Sequence, residues 1–151
     1  MRRSRGVRTA AKTHAQFTQA DVRAAVAGLR GSTSFRAPLR AYTSFKIGGP
    51  ADVVCEPADI EDVCLVVRQA RARKVPLFVL GGTNLLIRDG GIRGIVVSLA
   101  RLRAIKEEPT AVLYAEGGVG MPTLIGYAIR HSLAGLEWAA GIPGTAAGCV
   151  V

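Results

Sequence analysis

Apolar residues recur at helical spacing in three stretches of the chain. Val22, Ala25, Val26 and Leu29 follow Thr18-Gln19-Ala20-Asp21, which has the form of a capping box, and Gly31 stops the run, so a short amphipathic helix is predicted. Ile60, Val63, Cys64 and Val67 fall at i, i+3, i+4 and i+7 behind Asp59, a suitable N-cap, and predict a second helix that buries this stripe. Met121-Pro122 opens a third, in which Leu124, Tyr127, Ala128 and His131 share a face and Gly135 lies beyond the end.

Strand patterns fall between these helices. Residues 52–56 read as a strand ended by Pro57, and residues 75–80 as a buried one. Strand, helix and strand over about 30 residues make a βαβ unit, so these two strands are expected to be parallel neighbours with a right-handed crossover. Residues 42–47 alternate into Gly48-Gly49-Pro50, a sharp turn, and residues 32–40 read as a linker. Residues 95–99 and 111–115 read as further strands, with Glu107-Glu108-Pro109-Thr110 as the turn before the latter. The expected organisation is a basic tail, short helix and linker over residues 1–40 and a globular body over residues 41–151. No internal repeat is visible.

Composition changes the picture in two ways. Eighteen glycines against 5% aromatic residues favour tight turns and close backbone approach over a large aromatic core. The formal charge of +9 is lopsided: residues 1–40 hold nine Lys/Arg against Asp21 alone, while in residues 41–151 eleven bases face ten acids. The body is thus nearly neutral and offers no basic groove. The Arg-rich first 16 residues mimic an organelle transit peptide, but a solvated bacterial tail is the expected reading. A small basic protein gripping nucleic acid through this leader is the alternative function, and it predicts steeply salt-dependent binding.

Cys55, Cys64 and Cys149 lie too far apart for a Cys-x-x-Cys pair, and with only His14 and His131 beside them no zinc spacing arises; reduced, buried thiols are expected. No apolar run approaches the roughly 20 residues that span a bilayer, and no secretory signal is visible, so a cytoplasmic protein is expected.

Two glycine loops are the candidate chemistry. In Leu80-Gly81-Gly82-Thr83-Asn84 a buried strand empties into backbone N–H groups beside a hydroxyl and an amide, which suits phosphate oxygens, although a strand followed by Gly-Gly is also a plain turn. Gly141-x-x-Gly144-x-x-x-Gly148 lets either a flat ligand or another backbone segment approach closely. A Rossmann dinucleotide fold is excluded, because Gly118-Val119-Gly120 is followed by Met121-Pro122-Thr123 and lacks the third glycine.

Residues 42–52 (Tyr-Thr-Ser-Phe-Lys-Ile-Gly-Gly-Pro-Ala-Asp), residues 80–86, Gly135-Leu136-Glu137 and Gly141-Ile142-Pro143-Gly144-Thr145 come in an order that resembles the signature blocks of the UDP-N-acetylenolpyruvoylglucosamine reductase (MurB) family, together covering about residues 36–151. The resemblance implies an α+β fold, the two-lobed FAD-binding fold of the vanillyl-alcohol-oxidase (PCMH) type, with flavin between the lobes. It implies that NADPH reduces the flavin, which passes hydride to the enolpyruvyl double bond of a UDP-sugar, giving UDP-N-acetylmuramate for peptidoglycan synthesis. By the same analogy Gly81, Gly82, Thr83 and Asn84 cradle the FAD diphosphate, while Gly141, Ile142, Pro143, Gly144, Thr145 and Gly148 line the flavin.

The chain departs from the family pattern at two points. Relatives usually carry one more residue in the diphosphate loop, where this chain has Gly81-Gly82 directly before Thr83. The family's proton-donating Ser, its partner Glu and the substrate-orienting Tyr and Arg follow the Ile-Pro-Gly block. No catalytic residue is therefore assigned; Ser98, Ser132 and Glu137 do not fill those roles, and a truncated chain lacking the substrate domain is expected. Covalent flavin attachment, known in the wider fold through His or Cys, is the weaker match, with His131 read as a helix-face residue and Cys149 as a small core residue. Arg88, Asp89 and Arg93, around Gly90-Gly91, read as solvated charges.

Overall fold

The first helix starts where its capping box places it. In the computed structural model, which describes residues 17–81 and 85–150, α1 spans Gln19–Ala25. The Asp21 amide donates to Thr18 Oγ1 at 3.1 Å, and the Thr18 amide donates back to Asp21 Oδ2 at 2.8 Å, so two otherwise orphaned N–H groups are satisfied. The Arg-rich residues 1–16 and the loop residues Gly82, Thr83 and Asn84 lie outside the described residues.

Residues read as linker form an edge strand instead: β1 (Ser32–Phe35) runs antiparallel to β2 (Ala51–Glu56), with Ser32 opposite Glu56. All four β1 residues are exposed, so they show no apolar alternation to read. Residues 42–47 form turns rather than a strand. Thr43 donates its hydroxyl to the Ile47 carbonyl at 2.9 Å, and Lys46 adopts a φ of 56°, which breaks extended backbone.

Helix α2 (Ile60–Ala72) begins at Asp59, whose side chain accepts from the Asp62 amide. Its buried row is Asp62, Val66 and Ala70, whereas Ile60, Cys64 and Val67 of the predicted stripe are exposed. The cause is Asp62. Its carboxylate accepts from the amides of Ala58 and Gly31 at 2.9 Å each, from the Arg30 amide at 3.2 Å and from Arg30 Nε at 3.3 Å. Burial pushes this carboxyl up, but those donors outweigh burial and hold it at about 2. The charge ties the loop after α1 to the loop after β2, which fixes the rotation of α2.

The sheet order is β1-β2-β4-β3, where β3 is Leu77–Leu80 and β4 is Ile92–Ser98. β2 and β3 are parallel as expected but are not neighbours, because β4 inserts between them and pairs in parallel with both. A bulge marks the β2–β4 pairing: Ala51 faces Ile92 while Val53 faces Ile95. Gly94, at φ 110°, supplies the extra residue, and its amide donates to Asp52 Oδ2 at 2.8 Å beside Arg93 Nε at 2.9 Å. Arg93 is largely exposed, as expected of a solvated charge, and also pairs with Asp52.

One face of this sheet packs Val53, Cys55, Ile95 and Val97 against Val22 and Ala25 of α1, the following Val26, and Val66 and Ala70 of α2. Each fully buried aliphatic side chain there contributes about 1.5–3 kcal/mol. The core therefore includes residues on both sides of position 40. On the other face Val54, Val96 and Leu80 pack against Ala37, Leu39 and Ile87.

The chain then builds a second lobe. β5 (Ile105–Glu108) and β6 (Val112–Ala115) form a hairpin, so the segment read as a turn at Glu107-Glu108 is the end of a strand. Helix α3 (Met121–Arg130) buries Met121, Leu124 and Ala128, and its Met121 and Leu124 cluster with Val119 and Ala139. The short helix α4 (Ala146–Val150) ends the described chain. Among the described residues no helix is long and apolar enough to cross a membrane.

Candidate functional site: a cleft at the strand ends

Three parallel strands end in one row. Cys55 pairs with Val97 and Leu80 with Ser98, so Glu56, Ser98 and Leu80 stand side by side at the carboxyl ends of β2, β4 and β3. Strand alternation turns all three toward the face of Val54 and Val96, away from the helices. Open α/β sheets take their ligands at such carboxyl ends.

A cleft of about 570 Å³ opens there between the two lobes. One wall consists of Tyr42, Glu56, Leu80, Gly81 and the segment Ser98-Leu99-Ala100; the other consists of Gly118, Pro122, Pro143, Gly144 and Thr145. This volume is of the size that holds a cofactor or substrate, and the lining is mostly apolar with few polar groups.

Two contacts join the walls. The Thr145 hydroxyl donates to the Gly81 carbonyl, and Gly148 sits over the same carbonyl so closely that a Cβ there would fall 2.5 Å from its oxygen. Thr145 is held from behind, because the Met121 amide donates to the Gly144 carbonyl at 2.9 Å and the Ala146 amide to the Val119 carbonyl at 2.8 Å. The glycine loop thus rides on the start of α3.

Of the residues singled out from the sequence, Gly81, Pro143, Gly144 and Thr145 line this one cleft, and Gly148 packs against Gly81. Gly82, Thr83 and Asn84 follow Gly81 but lie outside the described residues. Gly141 is an exposed turn residue at φ 84°, and Ile142 packs into the second-lobe core. Gly144 and Thr145 both line the cleft, and among the described residues no acceptor meets the N–H of either.

Glu56 and Ser98 were not singled out as ligand-binding residues from the sequence. Glu56 Oε2 accepts from the Ser32 hydroxyl at 3.0 Å, and Ser98, almost fully buried, accepts from the Ala100 amide at 3.4 Å. No local motif marks them, since strand order alone brings them together.

The thiols and the second histidine lie apart from this chemistry. Cys55 is buried under the sheet, where burial pushes its thiol up to about 12, whereas Cys64 is exposed and Cys149 is half-buried against the second-lobe core. His131 stacks on Tyr127 with ring centres 4.1 Å apart and meets Glu107 at 3.3 Å, outside the cleft lining. Among the described residues no group of three His, Cys, Asp or Glu side chains is placed to hold a metal.

The FAD binding domain family matches residues 51–151. A UDP-N-acetylenolpyruvoylglucosamine reductase of Rubrobacter xylanophilus is 48% identical over 121 residues, 79% of this chain and 40% of that protein. One of Caldanaerobacter subterraneus subsp. tengcongensis is 43% identical over 122 residues, 80% of this chain and 40% of that protein. The crystal structure of UDP-N-acetylenolpyruvylglucosamine reductase (MurB) from Thermus caldophilus is similar with a TM-score of 0.60 and 28% identity, covering 81% of this chain and 41% of that one. The chain thus spans about two fifths of the length of these relatives.

Proposed function

Because the chain belongs to the FAD binding domain family, and within it to the UDP-N-acetylenolpyruvoylglucosamine reductases, we propose that it supplies the flavin-binding part of such an enzyme. Bound FAD would supply the hydride chemistry for an NADPH-dependent reduction of the enolpyruvyl double bond of a UDP-sugar, in cytoplasmic peptidoglycan synthesis. The chain's own residues bind and orient. Gly81, Gly82, Thr83 and Asn84 would hold the diphosphate. Gly144 and Thr145 present backbone donors to the flavin side, with Pro143 and Gly148 keeping the wall flat. The mostly apolar lining of the cleft would face the ring.

The observation that carries this reading is the cleft at the strand ends, closed by the Thr145 hydroxyl on the Gly81 carbonyl. Titration of the full chain with FAD, followed by quenching of flavin fluorescence, tests it. Saturable quenching is expected; folded protein that leaves FAD fluorescence unchanged overturns the reading.

A further inference from the structure

The geometry points to Glu56 as the residue that grips the ribose diol at the adenosine end of the bound dinucleotide. This inference rests on the flavin reading above and goes beyond the glycine loops. Among the described residues that line the cleft, Glu56 is the one carboxylate. An ionised carboxylate accepts hydrogen bonds and donates none, so the ligand group beside it must carry donors, and the diphosphate, itself anionic, is excluded from that place.

Position decides which end of the ligand this is. Gly81 closes β3, and Thr145, from the wall assigned to the flavin, touches Gly81 directly. Glu56 closes β2, separated from β3 by the whole of β4. Two strand spacings put it about 10 Å from Gly81, and in the flavin reading residues 143–145 are taken by the ring, so the adenosine is the end left to reach β2. A dinucleotide with its diphosphate at Gly81 and its flavin against residues 143–145 directs its adenosine toward β2.

The side chain is already set for this task. The Ser32 hydroxyl, across the β1–β2 pairing, donates to Glu56 Oε2 at 3.0 Å and braces one oxygen. The carboxylate has about four lone-pair sites, which leaves acceptors for two vicinal hydroxyls, the same pairing that acidic residues make with ribose in other dinucleotide sites. Ser98, beside it in the row, adds a second polar group.

The test compares FAD with FMN, which lacks the adenosine, on the full-length wild-type chain and on Glu56→Ala and Glu56→Gln. Each is titrated by flavin fluorescence quenching, and a thermal melt checks the fold. Glu56→Ala is expected to weaken FAD roughly tenfold or more while leaving FMN affinity and the melting midpoint within error, with Glu56→Gln between the two. Unchanged FAD affinity in Glu56→Ala overturns the assignment, and so does an equal loss for FAD and FMN. Wild-type protein that binds neither flavin overturns the flavin reading itself, and this assignment with it.

Discussion

The hydroxyl of Thr145 donates to the backbone carbonyl of Gly81, 64 positions earlier in the chain. One residue belongs to the second lobe and the other follows β3 at the edge of the first sheet, so this bond, with the Gly148–Gly81 contact, joins the two glycine loops into one site. Because the acceptor is backbone, side-chain variation at position 81 does not abolish the contact; only the donor is specified by residue type.

The neighbouring glycine carries the sharper prediction. A methyl group on Gly148 would stand 2.5 Å from the Gly81 oxygen, too close for any Cβ, and the obstacle is backbone that cannot swing aside. Gly148→Ala is therefore expected to cost about 1–3 kcal/mol through overpacking and to weaken FAD binding as the two walls separate. Urea unfolding with a parallel FAD titration measures both. Wild-type stability and affinity would show that the walls are not in contact in solution.

What the sequence made legible followed the range of its signals. Thr18 with Asp21, Asp59, and Met121-Pro122 are local signals, and each marks a helix start that the structure contains. Gly81, Pro143, Gly144 and Thr145 sit in recognisable motifs and share one cleft. The insertion of β4 between β2 and β3 is not local, and Glu56 and Ser98 become neighbours through it alone. β5 was hidden because Lys106, Glu107 and Glu108 are exposed and charged on an edge. On α2 the buried row passes through Asp62, a carboxylate that an apolar-periodicity rule discards.

Thiol reactivity should separate the cysteines cleanly. Cys64 is exposed on α2, whereas Cys55 is buried in the first core with its thiol pushed up to about 12 by burial, so it holds almost no thiolate at pH 8. Native protein treated briefly with iodoacetamide at pH 8 is expected to carry label on Cys64 and none on Cys55 by peptide mass mapping, with Cys55 labelled after unfolding in guanidinium. Equal native labelling of the two would contradict the placement of β2 between α2 and the second face.

Asp62 should make the first lobe acid-sensitive in a defined window. Its carboxyl lies at about 2 in the folded chain against an ordinary 3.8, because burial, which pushes it up, is outweighed by the amides of Ala58, Arg30 and Gly31 and by the Arg30 guanidinium. A lowered folded value means that the stabilisation is fully present above pH 4 and is lost as the pH falls toward 2. The shift corresponds to about 2 kcal/mol. Asp62→Ala leaves three backbone donors and an arginine without their acceptor, and is expected to cost about 3 kcal/mol at neutral pH. Asp62→Asn removes the titration while keeping the shape. Chemical denaturation from pH 7 to pH 2 should therefore show a steeper decline in the wild type than in Asp62→Asn between pH 4 and 2. Parallel pH profiles for the two would mean that another carboxylate, not Asp62, sets the acid limit.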